Sequence, residues 1–336
     1  MTTNTQFLDF ISDITPSQTT ISNCKSAHEA VREALGKDVE FCDRFDRTFL
    51  GGSYMRSTAI RPRTKNGHVD RPDVDIYVVL KDSSTLDKPS ALVDELYNAL
   101  NRARSSLSIT SISRNRCSIA ISMNKADIDV CVLLEKQSDE MYRIGNRETG
   151  EWYKTNPEVH NDWSKEQNSV FSSRFKPMVK MLKWARRENP SVARHPKSFA
   201  LEMMLASCMD ATETHYGKLF HLWCDNFISK YELNKLLGTV PIIDDPAVSG
   251  GNILAGVTAS EFSAYYDKIV THRDRAEKAL EETDLIKAAE HWKKIFGDRF
   301  PKPTQTNSLK NSASVFSPLS FTTEKSVPSQ RPAKFA

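Results

Sequence analysis

The stretch "RPDVDIYVVL", residues 71–80, constrains the fold more than any other part of the chain. An almost unbroken apolar run of this length reads as a strand covered on both faces. Yet two carboxylates, Asp73 and Asp75, stand at its mouth. Residues two apart on a strand point to the same side, so this pair repels itself unless water or a cation lies between. Upstream is a Gly51-Gly52-Ser53 turn. Downstream a second strand-like run, "ADIDVCVLL", becomes uninterrupted and apolar right after Asp129. If the two strands are neighbours, three carboxylates converge. Asp127, on the same side of its strand, competes with Asp129, which is preferred because the apolar run starts directly after it.

The rest of the chain supplies a setting for that cluster. Residues 17–36 read as a helix, with Ser17 as cap, Ile21, Cys24, Ala27, Val31 and Leu35 at helical spacing, and Gly36 at its end. "RFDRTFLGGS" predicts a short strand entering the glycine turn. A helix is expected from Ser90, and a further alternating strand over "RCSIAISM". Beyond Glu135 comes a turn-rich connector, and then helices over 165–188, 195–212, 216–235 and 259–297, interrupted by an Asp-, Pro- and Gly-rich loop over 238–256. Residues 301–336 have no period and are rich in Ser, Thr, Pro and Lys, the composition of a disordered tail. The expected class is therefore α+β: a mixed sheet with helices over 1–150, a helical C-terminal lobe over 151–300 that completes a cleft, and the tail.

Composition narrows the setting without naming the chemistry. The mean hydropathy of -0.49 and the lack of a membrane-length apolar run predict a soluble, cytoplasmic protein with no membrane partner. The first residues show no basic segment before an apolar core, so no secretion signal is expected. A formal net charge of +3 neither demands nor excludes nucleic acid. The six cysteines include no C-x-x-C pair, and the eight histidines no H-x-x-x-H pair, which predicts free thiols and no zinc site.

Three clustered carboxylates are costly without cations. Two Mg²⁺ ions about 4 Å apart, with Mn²⁺ able to substitute, would balance them and clamp a phosphoryl group in line. Glycines let a backbone approach phosphate, a short helix starting at "YMRSTA" would offer free N–H groups, and Ser53 adds a hydroxyl. The expected reaction is nucleotidyl transfer, with Asp129 holding a metal or accepting a proton. The plainer alternatives are a solvated strand end and an ordinary turn. Lys176, Lys180, Lys183 and Arg187 lie along one predicted helical face, which is either a solvated basic face or one that meets phosphate. Ser198, at a predicted helix start, reads as a cap or a phosphate contact, and Asp245-Pro246 as a turn or a nucleotide contact. Tyr54 and Arg56 face either a base, a phosphate or the core.

The order G-S, then h-D-h-D-h, then h-D-h resembles the polymerase-β-type nucleotidyltransferase superfamily. Within it, nearly the whole chain is similar to the bacterial cGAS/DncV-like nucleotidyltransferases (CD-NTases, the SMODS group), the synthases of CBASS anti-phage defence. "GGSYMRSTAIRP", "RPDVDIYVVL" and "DIDV" match the turn and carboxylate strands. "FKPMVKMLKWARRE" resembles the lysine-bearing helix, "HPKSFALEMML" the Lys-Ser-x-x-x-Glu helix, and "DDPAVSGGNILA" the Asp-Pro…Asn loop. One departure is that "VCVLL" follows the third aspartate, where the family often has proline.

The resemblance implies metal ligands Asp73, Asp75 and Asp129, with triphosphate contacts from Ser53, beside Gly52, and from Lys183 and Ser198. It implies a nucleotide contact near Asp245. It further implies a synthase that joins nucleoside triphosphates, ATP first and GTP or another second, into a cyclic di- or trinucleotide that activates a separate effector. With no zinc insert and no dense basic stripe, no DNA requirement is expected. It also implies that the last residue, Ala336, is conjugated to target proteins by a ubiquitin-transfer-like partner. The alternatives are a minimal nucleotidyltransferase that modifies a protein, tRNA or small molecule, and an inactive nucleotide sensor.

Overall fold

In the computed structural model, the described residues are 2–65, 68–71, 73–81, 88–192 and 194–303. The expected disordered tail therefore falls outside them from residue 304 onward, and Ala336 with it.

The chain opens with two helices, α1 (Asn4–Ile14) and α2 (Gln18–Lys37). Ser17 caps α2, accepting from the Thr20 N–H, and Cys24, Ala27, Val31 and Leu35 are buried as the spacing predicts. Ile21 is exposed. Helix α1 is not among the expected elements. Its signal is a capping box, in which Thr3 and Gln6 satisfy each other's end of the helix.

The mixed sheet follows. Strand β1 (Phe45–Gly51) runs straight into the single turn α3 (Gly52–Met55), and the small hairpin β2 (Arg63–Lys65) and β3 (His68–Asp70) leads into β4 (Asp73–Leu80). Helix α4 (Pro89–Arg102) precedes β5 (Ile109–Arg114), β6 (Ile119–Met123), β7 (Asp127–Leu134), β8 (Tyr142–Asn146) and β9 (Glu151–Thr155). The main sheet has the order β1-β4-β7-β6-β5, with β8 pairing β7 and β9 beyond it. Only β4 and β7 run parallel; the other neighbours are antiparallel.

Alternation divides this sheet by function. Val74, Ile76, Val78 and Leu80 of β4, with Ile128, Val130, Val132 and Leu134 of β7, pack into one core with α2 and α4. On the other face, Val79 and Leu133 are sealed by Tyr142, while the first halves of both strands carry the aspartates. The apolar run becomes continuous where this second cover begins.

The helical lobe consists of α5 (Pro157–Val170), α6 (Phe175–Glu188), α7 (Ser198–Cys208), α8 (Tyr216–Leu237), α9 (Ala259–Glu281) and α10 (Leu285–Phe296). Two expected long helices are broken. Left-handed backbone at Ser172 and Ser173 separates α5 from α6, and Asp284 caps a fresh start for α10 by accepting from the Ile286 and Lys287 N–H groups. Helix α1 returns to this lobe, with Phe7 and Phe10 packed against Trp184, Trp292, Phe296 and Phe300. All six cysteines are free. No described helix is long and apolar enough to cross a membrane.

Candidate active site

The parallel pairing of β4 with β7 sets Asp75 directly opposite Asp129, and Asp73 opposite Asp127. Period-two alternation then aims all four toward one face. Asp127 stands 3.8 Å from Arg71, whose guanidinium also donates to the Met123 and Asn124 carbonyls. That engagement with the β6–β7 turn distinguishes Asp127 from Asp129, which accepts a long 3.5 Å bond from Asn115. Asp73, Asp127 and Asp129 border an open, polar depression of about 600 Å³ that reaches Thr110, Asn115 and Ser122.

The glycine turn lies against the carboxylates. Gly52 has φ +64°, and a Cβ there would sit 1.6 Å from Asp75 Oδ2. Only a glycine lets this backbone adopt the left-handed conformation and touch the carboxylate. At Gly51 a Cβ would come within 2.5 Å of the Tyr77 ring. The short helix starts at Gly52 rather than at Tyr54 and lasts one turn. What it offers a phosphate is the turn's own N–H groups more than a helix dipole. The Ser53 carbonyl is engaged, accepting from Thr58 N at 2.9 Å and Ala59 N at 3.1 Å.

Electrostatics agree with this crowding. Burial, and then the Asp129 charge, push the Asp75 carboxyl up to about 6, against the pull of Arg56 and Lys183. Burial and Asp127 raise Asp129 as well. Two half-buried carboxylates side by side, offering only oxygen, form a donor set for a hard divalent cation. Among the described residues, no three acidic, histidine or cysteine groups are drawn together as a finished metal cage. Magnesium needs none, since one or two carboxylates suffice when phosphates and water complete it.

Lys183 is not part of a solvated basic face. It is 5% exposed, it donates to the Thr58 carbonyl at 2.9 Å, and burial lowers its pKa to about 8 despite nearby Glu202. Its helical neighbours go elsewhere: Lys180 to Thr15 and Arg187 to the Arg61 carbonyl. Ser198 is the first residue of α7 rather than its cap, a position that Lys197 fills. Its hydroxyl accepts from Arg186 at 3.1 Å. Asp245 pairs with His160 at 2.7 Å. Burial works against its ionisation, but the His160 bond and the Ala247 N–H keep its pKa below the usual range. The His160 ring in turn lies 4.5 Å from that of Phe199, next to Ser198.

The spacing of charges did not foretell the buried group between the lobes. Arg56 pairs with Glu202 at 3.0 Å, the two being 8% and 0% exposed. The available signal was a single carboxylate within the otherwise apolar "SFALEMMLASC". Such a charge must find a partner.

A mixed sheet with paired aspartates beneath a glycine turn, closed by a helical lobe, defines a nucleotidyltransferase of the polymerase-β type. Comparison with known proteins agrees. The Second Messenger Oligonucleotide or Dinucleotide Synthetase domain matches residues 1–168. A cyclic AMP-AMP-AMP synthase of Acinetobacter sp. is 40% identical over 319 residues, 95% of this chain and 91% of that protein. A probable cyclic AMP-AMP-GMP nucleotide synthase of Salmonella paratyphi B is 26% identical, covering 90% of this chain and 93% of that one. Among solved structures, E. coli MS115-1 CdnC with ATP superposes with a TM-score of 0.69 at 19% identity, over 89% of this chain and 99% of that one. The chain belongs to the SMODS family of second-messenger synthetases. It is a nucleotidyltransferase of the CD-NTase type that makes a cyclic oligonucleotide signal.

Proposed function

We propose that this enzyme joins three ATP molecules into a cyclic triadenylate, releasing pyrophosphate at each bond, as the signal of a CBASS anti-phage system. The observation that carries the product assignment is the 40% identity, sustained over 95% of the chain, to a cyclic AMP-AMP-AMP synthase. The chemistry rests on the opposed Asp75 and Asp129.

Asp73, Asp75 and Asp129 would hold Mg²⁺, or Mn²⁺ in its place, which supplies charge neutralisation on the phosphates and a lower pKa for the attacking hydroxyl. Gly52 and Ser53 bring backbone N–H groups and a hydroxyl to the triphosphate. Lys183 has three donors; one holds Thr58, leaving two for phosphate oxygens. Ser198 adds a hydroxyl from the far wall, and Asp245 lies toward the nucleoside end. Ala336 would be joined to target proteins by a conjugating partner, which the intact mass of the chain from cells carrying the native operon checks.

Two outcomes test this reading. Purified protein given each triphosphate singly, then all four, with Mg²⁺, is expected to form cyclic triadenylate from ATP alone by mass spectrometry. A product requiring GTP would overturn the base assignment, and nucleotide transfer to protein or RNA with no cyclic product would overturn the synthase reading. Lys183→Ala is expected to lower kcat/KM for ATP at least tenfold, since a hydrogen bond to a charged group is worth about 1.5–3 kcal/mol. Lys176→Ala is expected to do less, and equal losses would mean that the helix is only generically basic.

A further inference from the structure

Three groups assigned above to the triphosphate come from separate elements: Ser53 from the turn, Lys183 from α6 and Ser198 from α7. Something must fix their mutual distances, and one buried cluster touches all three elements. The Glu202 carboxylate accepts from Arg56 Nε at 3.0 Å, from Arg56 Nη2 at 3.4 Å and from the Thr58 hydroxyl at 2.9 Å. Thr58 is fully buried. Its N–H donates to the Ser53 carbonyl at 2.9 Å, and its own carbonyl accepts from Lys183 at 2.9 Å. The Arg56 guanidinium lies 5.0 Å from the centre of the Phe199 ring, one residue after Ser198.

Stability alone is a poor reason for such a cluster. Replacing a buried ion pair by apolar side chains of similar volume is often neutral or stabilising. What a fully bonded polar cluster adds is a single geometry. We propose that Glu202, Arg56 and Thr58 are positioning residues for the triphosphate, acting through Ser53, Lys183 and Ser198. The inference rests on the function proposed above.

Thr58→Val keeps the shape of the side chain and removes only its donation to Glu202. It is expected to raise the KM for ATP five- to tenfold while kcat stays within twofold of wild type. Thr58→Ser, which restores the hydroxyl, is expected to recover the wild-type KM. In a Lys183→Ala background the effect of Thr58→Val is expected to shrink, because one of the three groups it positions is gone. Binding of a non-hydrolysable ATP analogue, measured by calorimetry, is expected to follow the KM values. A Thr58→Val enzyme with lowered Tm but wild-type KM would overturn the inference, as would an undiminished effect in the Lys183→Ala background. Active wild type with indifferent variants overturns this inference alone. Wild type that neither binds nor turns over ATP overturns the proposed function as well.

Discussion

The double substitution Asp73→Asn, Asp75→Asn is expected to fold and to turn over ATP at least about a thousandfold more slowly than wild type, the equivalent of several kcal/mol of lost charge stabilisation. Asparagine preserves the shape of each side chain and removes the charge that would hold a cation. The fold should not suffer, because Asp75 is a burden to the metal-free protein. Its carboxyl, ordinarily at 3.8, is raised to about 6 by burial and by Asp129. The folded state therefore binds this proton more tightly than the unfolded chain does. Stability is lost as pH rises through the window from 3.8 to about 6, and the full penalty, on the order of 3 kcal/mol, applies above it. In EDTA at pH 8, Asp75→Asn is thus expected to melt at a higher temperature than wild type, and near pH 3.5 the gain should nearly vanish. Thermal unfolding across that range checks the sign, and a variant that melts lower at pH 8 would contradict the crowded-carboxylate picture.

Gly52→Ala is the second large effect. The backbone there has φ +64°, and the added methyl would sit 1.6 Å from Asp75 Oδ2. An L-residue in left-handed backbone costs about 1–2 kcal/mol, and the clash must also move the turn or the carboxylate. A displacement near 1 Å at a reacting centre can cost on the order of a hundredfold, so kcat/KM is expected to fall at least that far. Gly150→Ala separates the two causes. Gly150 has φ +75° with nothing within 4 Å of a built Cβ. It bears the strain alone and is expected to lose some Tm with activity intact. Steady-state kinetics on both variants decides it. Equal activities would mean that the contact between Gly52 and Asp75 has no bearing on catalysis.

The residues behind both expected effects stand in short motifs, although the contact between Gly52 and Asp75 appears only in the structure. D-x-D on a strand, a glycine pair before it and an aspartate opening a later apolar run can be read without knowing the topology. The apolar runs themselves announced which strand halves would be covered twice. The parts that escaped depend on contacts between distant residues. Helix α1 packs against α6 and α10, and its capping box and the helical spacing of Phe7, Phe10 and Ile14 are its signals. The break between α5 and α6 rests on two serines in left-handed backbone, a conformation that composition does not encode. Lys183 looked like one member of a basic face, yet it is buried and bonded to the Thr58 carbonyl, far along the chain. Arg56 was open among base, phosphate and core, and its partner Glu202 lies in a helix whose own pattern says nothing about the sheet.

The most direct test of the central claim is a crystal structure of the protein with Mg²⁺ and a non-hydrolysable ATP analogue. The expected result is metal density between Asp75 and Asp129, with the triphosphate lying along Gly52 and Ser53 and within hydrogen-bond reach of Lys183. A nucleotide bound elsewhere, or phosphates at this turn with no metal on either aspartate, would contradict it.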